Sequence, residues 1–154
     1  MNQKEFIEVV ILNQLGDIVK LHPYLSFGLI ATSIELLGAC LDDHSIQKRG
    51  ESGDRFRMAI NVLFPSKYHN YAIKNTPYDL YSELRCGLNH SFLPKPSIAL
   101  SQRASGNNHL SILNNQLILS AEDFYEDLQN AGLKIIEMIN ENLIAEKFVL
   151  NIGK

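Results

Sequence analysis

The sequence predicts a mainly α-helical fold with a small antiparallel β insert at about residues 97–119. Apolar residues recur at helical spacing on both sides of this insert, whereas within it they alternate with small or polar residues. A length of 154 residues is that of one ordinary domain, so residues 1–154 are treated as a single unit. The hydrophobic fraction of 45% and the charged fraction of 20% are typical of globular proteins and exclude disordered and collagen-like chains.

The N-terminal part predicts two helices. Residues 2–15 carry apolar side chains at helical spacing, and Gly16 and Asp17 are expected to break or kink that helix. Pro23 suits the first turn of a second helix over residues 23–41. Because this helix is apolar nearly all round, we expect it to be the most buried helix, at the centre of the helical packing.

The next two helices are predicted from residues that typically start helices. Asp54 is expected to cap a third helix over about residues 55–63. Thr76 followed by Pro77 predicts a fourth helix over about residues 77–90, with the hydroxyl as cap and the proline at the first position.

Turn signals divide the segment that follows. Residues 105–108 and the pair Asn114–Asn115 are turn clusters, which favours an antiparallel hairpin or a three-strand meander in the insert. Ser120 is expected to cap a long last helix whose apolar stripe extends to Leu143. No internal repeat is visible, so a single compact domain remains the prediction.

The most informative segment is LYSELRCGLNH at residues 80–90, near the end of the fourth predicted helix. Four residues separate Arg85 from His90. This arrangement resembles the HEPN superfamily, whose signature is an arginine, four to six residues and then a histidine. The order of the surrounding elements is also similar, and the resemblance covers most of Asp54 to Asn142.

This resemblance implies an antiparallel helical bundle that dimerises, with two motifs facing each other across a cleft. Catalytic members of the superfamily are similar to metal-independent endoribonucleases, in which a ribose 2′-hydroxyl attacks the adjacent phosphate. A histidine such as His90 would then move a proton. An arginine such as Arg85 would stabilise the charge that develops on the phosphate.

Two features leave open whether the motif is catalytic. Catalytic HEPN proteins usually carry a polar residue directly after the arginine, where this chain has Cys86, and Asn89 lies before His90 instead. Five steps along an α-helix also place His90 about 140° around the axis from Arg85. A joint site therefore needs a long arginine side chain, a distorted helix end near Gly87 or a partner subunit, and a salt bridge or helix cap is the alternative role for the pair.

The charge distribution bears on phosphate binding. The net charge of −3 argues against a general basic nucleic-acid coat, yet residues 44–121 hold nine Lys or Arg against four Asp or Glu. A basic middle around the motif would attract phosphate, with Asn89, Lys95 and Arg103 as candidate RNA or phosphate contacts. Several aromatic residues interleave with these bases and are candidates for base stacking, although most fit a core better: Tyr68, Tyr71, Tyr78, Tyr81 and Phe92.

Thiol and metal chemistry are weaker alternatives. Cys86 and His90 are four residues apart and share a helix face, so a Cys–His nucleophile is conceivable, but no third orienting residue is visible. A small buried side chain beside Gly87 is the simpler role for Cys86. The clusters at residues 42–44 and 68–69 lack the spacing of metal ligands and are expected to be solvated, so no cofactor or metal is predicted.

The leading functional hypothesis is a cytoplasmic homodimer that binds RNA, with or without cleaving it, at an Arg85–His90 cleft and without metal. The alternative is a non-enzymatic dimeric module that binds a partner protein, such as a nucleotidyltransferase in a toxin–antitoxin-like pair. Cys40 and Cys86 are expected to be reduced thiols. The N-terminus lacks the features of a secretory signal, and no membrane segment is predicted.

Overall fold

A computed structural model describes residues 1–150 of the chain. The helices are α1 (residues 3–21), α2 (Pro23–Leu41), α3 (Ser52–Leu63), α4 (residues 81–91) and α5 (Ala121–Asn140). The strands are β1 (Ile98–Ser101), β2 (Ile112–Leu113) and β3 (Gln116–Ser120), and short 3₁₀ turns occupy Ser66–Ala72 and Arg103–Ser105. The predicted mainly α class with a small sheet is confirmed.

Helix α1 continues through the position where a break was expected. It is π-helical over Ile7–Gln14 and α-helical over Leu15–Leu21. Gly16 is a packing residue, because a Cβ there would lie 2.8 Å from the Tyr125 hydroxyl on α5. That hydroxyl lies 2.9 Å and 2.8 Å from the carbonyl oxygens of residues 11 and 12, to which it donates. The predicted break at Gly16 and Asp17 is therefore wrong, since this glycine permits a close approach and not a turn.

Helix α2 is the central element of the helical packing, in contact with α1, α3 and α5. Nine of its 19 residues are buried, the largest share among the helices, so its predicted burial is confirmed. One face nevertheless stays exposed, with Tyr24, Leu25 and Leu29 each more than two fifths accessible. By length and composition α2 is apolar enough to cross a membrane, and half of that stretch is buried inside the protein.

Two helix starts differ from the prediction. Helix α3 begins at Ser52, because the Arg55 N–H already bonds to the carbonyl of Glu51 at 2.9 Å. Helix α4 begins at Tyr81, because the Asp79 N–H closes a turn onto Thr76 at 3.3 Å before the helix starts. Proline and hydroxyl residues start turns as readily as helices, so the local signal did not separate the two.

The β insert is a mixed sheet with strand order β1-β3-β2, so the expected all-antiparallel pairing is wrong. Strands β2 and β3 form the predicted antiparallel hairpin, with Asn114 and Asn115 at φ of 50° and 59° in its two-residue turn. Strand β1 pairs in parallel with β3. The long connection over residues 102–115 allows this, since parallel neighbours need a crossover of about a dozen residues.

The last helix begins immediately after Ser120, as predicted, and ends at Asn140. The Ser120 hydroxyl does not cap it, because it donates to the Glu122 carboxylate at 3.2 Å and not to a backbone group. Leu143 lies beyond it and is 64% exposed, so its place in the predicted apolar stripe is wrong. The buried face of α5 contributes Phe124, Leu128 and Ile135 to a core shared with α1 and α2. This core fixes α4, and with it the motif, against the side of α2.

Candidate functional site

The motif helix α4 is anchored at its start by a buried carboxylate. Asp79 is 1% exposed and accepts hydrogen bonds from the Tyr81 N–H at 3.3 Å and the Ser82 hydroxyl at 2.9 Å. Its side chain also pairs with the guanidinium of Arg57 on α3. The start of α4 is thus fixed to α3 by a charge-assisted contact.

The end of α4 is shaped by a close chain crossing. Gly87 is buried, and a Cβ there would lie 2.6 Å from the carbonyl oxygen of Leu93. The chain folds back over this glycine, and the Lys95 N–H bonds to the carbonyl of Glu83 at 2.8 Å. Leu84 and Leu88 hold the inner face of α4 in the core. The motif therefore lies on a helix whose orientation is tightly determined.

Arg85 forms an ion pair with Glu35 on α2. Its Nη2 lies 2.7 Å from Oε2 of Glu35, and the two side chains are 17% and 21% exposed. Glu35 Oε2 and Arg85 Nε are buried atoms that have no hydrogen-bond partner among the described residues. The Arg85 guanidinium also lies 5.5 Å from the Tyr81 ring centroid, and that of Arg57 lies 5.0 Å from it.

Asn89 and His90 follow at the end of this helix. Both are exposed at the C-terminal end of α4. The hydrogen bonds and ion pairs of the described residues do not link His90 to Arg85, whose side chain faces α2. Helix α4 is π-helical over Tyr81–Arg85, so it is not the straight α-helix for which the angle of about 140° between the two residues was expected.

The two further predicted phosphate contacts lie in different places. Lys95 is beside α4, 3.3 Å from the Glu83 carboxylate. Arg103 lies in the 3₁₀ turn Arg103–Ser105 and its guanidinium contacts the first turns of α5, 2.6 Å from Asp123 and 2.9 Å from Glu126. These carboxylates raise the pKa of Arg103. The structure therefore brings Lys95, and not Arg103, to the motif helix.

Two apolar recesses share the exposed face of α2, and one of them borders the motif. The first, which we call the Tyr24 pocket, has a volume of about 370 Å³ and lies between α2 and α4. The second, the α1–α2 groove, has a volume of about 400 Å³. The Tyr24 pocket is lined mainly by Tyr24, Leu25, Leu29, Leu88, Asn89 and Phe92. The α1–α2 groove is lined mainly by Phe6, Val10, Gln14, Ile18, Leu29 and Leu36.

The sequence reasoning did not identify these recesses, although it contained a signal for them. A helix that is apolar all round has more apolar surface than its neighbours in a small domain can cover. Leu29 lies in both recesses and is 45% exposed. The recesses therefore form one continuous apolar surface that runs from α1 to the end of α4.

The cysteines show no arrangement for thiol chemistry. Cys40 is buried, and burial raises the pKa of its thiol to about 12. Cys86 is a half-buried free thiol beside Tyr81, whose pKa is raised mainly by burial. Within residues 1–150 there is no group of three His, Cys, Asp or Glu side chains placed to hold a metal ion.

A second polar cluster, also missed by the sequence reasoning, ties the β insert to α5. The Ser120 N–H donates to Nδ1 of His109 at 3.0 Å, so the neutral ring carries its proton on Nε2. That nitrogen lies 2.6 Å from the hydroxyl of the fully buried Tyr68, which donates in turn to Asp127 at 2.7 Å. Burial, with the nearby charge of Lys67, lowers the pKa of His109 to about 4. Burial and Asp127 raise the pKa of Tyr68.

Comparisons with protein-family models, with curated proteins and with solved structures find no match to this chain. The resemblance to the HEPN superfamily therefore depends on residues 80–90 and on the order of the surrounding elements.

Proposed function

We propose that the chain acts as a homodimer of HEPN type that binds RNA at a cleft formed where two α4 helices meet. The observation that carries this proposal is the exposure of His90 and Asn89 at the border of an apolar surface. A second copy that covers the α1–α2 groove would remove this apolar surface from water and bring the two α4 helices together. Apolar surfaces of this kind on small domains mark interaction sites.

In this dimer the motif residues have separate roles toward RNA. His90 is free to exchange a proton with a ribose hydroxyl or a leaving oxygen. Arg85, paired with Glu35 and beside the Tyr81 ring, and Lys95, paired with Glu83, are the cations nearest to a phosphate bound at α4. None of these roles requires a metal ion. An RNA ligand favours the cytoplasm as the place where the dimer acts.

The first test of this function is cleavage and binding of single-stranded RNA by the purified protein. His90→Ala should abolish cleavage and leave the dimer and its thermal melt unchanged, because His90 is exposed and makes no packing contact that the fold needs. Cys86→Ser should be close to neutral, and EDTA should leave activity unchanged. RNA left intact by the wild-type protein over hours would remove the catalytic part of the proposal.

A second candidate function, a non-enzymatic dimeric module that binds a partner protein such as a nucleotidyltransferase, is favoured by the Arg85–Glu35 ion pair. An arginine that is largely buried and paired has a structural role already. Arg85→Ala would leave the Glu35 carboxylate half-buried without its cation, at a cost of roughly 1–3 kcal/mol.

The two candidates differ in what Arg85 contributes. If Arg85 is structural only, Arg85→Ala should lower the melting temperature, and the double variant Arg85→Ala with Glu35→Ala should recover much of that loss. If Arg85 acts on RNA, the double variant should regain stability without regaining cleavage. Thermal melts and RNA cleavage, measured on the same samples, separate the two functions.

A further inference from the structure

The Tyr24 pocket is built from two aromatic rings that expose their surfaces at the end of α4. The ring centroids of Tyr24 and Phe92 are 6.2 Å apart, and the planes are tilted by 45°, so the rings do not stack on each other. Tyr24 is 41% exposed and Phe92 is 64% exposed. The Tyr24 hydroxyl donates to the carbonyl of Phe92 at 2.8 Å, which fixes the second ring at the border of the pocket.

Phe92 occupies a backbone conformation that disfavours a large side chain. Its φ of 62° is in the left-handed region, where it ends α4 and its N–H bonds to the carbonyl of Leu88 at 3.0 Å. Glycine adopts this conformation freely, whereas phenylalanine is strained there. The position therefore carries an exposed aromatic ring where glycine would stabilise the fold better, which indicates a use for the ring other than folding.

The chemistry of the pocket fits a flat, apolar ligand with polar edges. Its walls include Leu25, Leu29 and Leu88, and Asn89 supplies a side-chain amide, which can both donate and accept hydrogen bonds. A volume of about 370 Å³ is within the range of ligand pockets, roughly 300–1,000 Å³. Nucleobases have this combination of a π face and hydrogen-bonding edges, and unpaired bases bind by stacking on aromatic side chains.

The pocket also lies next to the residue proposed to act on RNA. Asn89 precedes His90 directly, so their Cα atoms are about 3.8 Å apart. A nucleotide whose base contacts Asn89 would have its sugar and phosphate near the exposed His90. The alternative ligand is an apolar side chain of a partner protein. It would account for the leucines of the pocket, but not for the amide of Asn89 or the strained backbone of Phe92.

We propose that the Tyr24 pocket binds one unpaired base of the RNA, with Tyr24 and Phe92 as the stacking surface and Asn89 as the group that reads the base edge. This inference rests on the proposed RNA-binding function and deepens it, because it assigns the substrate class to single-stranded RNA with a splayed base at the motif. An amide side chain pairs well with adenine, so adenine is the base expected to fit best.

The direct test uses adenosine monophosphate and ribose 5-phosphate as probes, since they share a phosphate and differ in the base. We expect adenosine monophosphate to bind the full-length protein more tightly, as measured by NMR titration. Phe92→Gly should weaken its binding about fivefold or more, the lower end of the effect of one stacking aromatic. The same variant should melt at an equal or higher temperature, because glycine relieves the strain at φ 62°.

Control variants separate base binding in the Tyr24 pocket from a role of the same pocket in subunit contact. Phe148→Ala removes another exposed phenylalanine, 59% accessible and outside the pocket, and should leave binding unchanged. Asn89→Ala should reduce the preference for adenosine over uridine monophosphate. Equal binding of adenosine monophosphate and ribose 5-phosphate would overturn the proposal. So would an affinity for adenosine monophosphate that is the same in Phe92→Gly as in the wild-type protein. Dissociation of a dimer by Phe92→Gly without any change in nucleotide binding would also overturn it, and would assign the pocket to the subunit interface.

Failure of this inference can be distinguished from failure of the proposed function. RNA binding that depends on His90 but not on Phe92, and that adenosine monophosphate does not compete with, would leave the function standing and reject the base pocket. Nucleotide binding that depends on Phe92, without any binding or cleavage of RNA, would support the pocket and reject the RNA function.

Discussion

Gly38 allows α2 and α3 to pack with their backbones in contact. A Cβ at this position would lie 1.9 Å from the carbonyl oxygen of Arg55, which is far inside a normal contact distance. Gly38→Ala should therefore push α3 away and lower the free energy of unfolding by roughly 1–3 kcal/mol or more, measured by urea titration. Gly28→Ala is the matched control on the same helix. A Cβ there meets nothing within 4 Å, so alanine should raise stability by about 0.5–1 kcal/mol. Equal effects of both variants would contradict this interpretation.

The candidate site shows which functional residues a sequence can identify by itself. The spacing of Arg85 and His90 is visible in the sequence, and so is the angle of about 140° that separates them on a helix. The partner of Arg85 is not visible, because Glu35 lies on another helix and only tertiary packing brings it to 2.7 Å. The strained φ of Phe92 is equally hidden, since phenylalanine carries no local signal for a left-handed conformation.

At the scale of elements, the predicted helices and turns were correct where the local sequence is compatible with only one structure. Helix α2 begins at Pro23, as predicted, because a proline followed by a long apolar run has few alternatives. The turn at Asn114–Asn115 was also visible, because few residues other than glycine adopt positive φ readily. The direction of β1 was not visible, because alternation of apolar residues identifies a strand but not its partner.

The exposed face of α1 and α2 leads to a prediction about assembly. We expect the wild-type protein to be a dimer by light scattering at micromolar concentration, with the α1–α2 groove covered by the second copy. Val10→Asp places a carboxylate in this groove and should shift the protein to monomer, since burial of an unpaired charge is costly. Leu133→Asp is the control, because Leu133 is 52% exposed on α5, away from the groove. A wild-type protein that is monomeric under these conditions would refute the dimer.

At the scale of the whole molecule, folding removes most of the charge separation that the sequence shows. Seven of the nine cations in residues 44–121 form ion pairs, several of them with carboxylates from the acidic ends of the chain. These pairs are Lys48–Glu51, Arg55–Asp42, Arg57–Asp79, Lys67–Asp127, Arg85–Glu35, Lys95–Glu83 and Arg103–Asp123. Few free cations remain for phosphates in this segment, so RNA binding is expected to depend less on salt than the sequence alone suggests.

The pH dependence of stability is also a property of the whole fold, because His109 connects the β insert, the 3₁₀ turn at Ser66–Ala72 and α5. The charged groups that face it are Lys67, Asp123 and Asp127. Its pKa is about 4 in the folded protein and about 6.5 in an unfolded chain. Between these values the unfolded chain binds more protons than the fold, so the free energy of unfolding falls as the pH decreases from about 6.5 to about 4.

We expect this loss to amount to roughly 3 kcal/mol, since one pKa unit corresponds to about 1.4 kcal/mol. Protonation of His109 would remove the acceptor for the Ser120 N–H and release the loop that His109 holds.

Thermal melts of the wild-type protein from pH 7.5 to 4.5 measure this loss of stability. The variant His109→Gln should be less stable at pH 7.5, but its stability should be nearly independent of pH across this window. His22→Gln, which alters an exposed histidine at the end of α1, should keep the wild-type slope. The pKa of Asp123 lies below its usual value, mainly because Arg103 outweighs the opposing effect of burial, so its contribution to stability is lost only as the pH falls below this window. A His109→Gln variant with the same pH slope as the wild-type protein would show that another group controls the acid sensitivity of the fold.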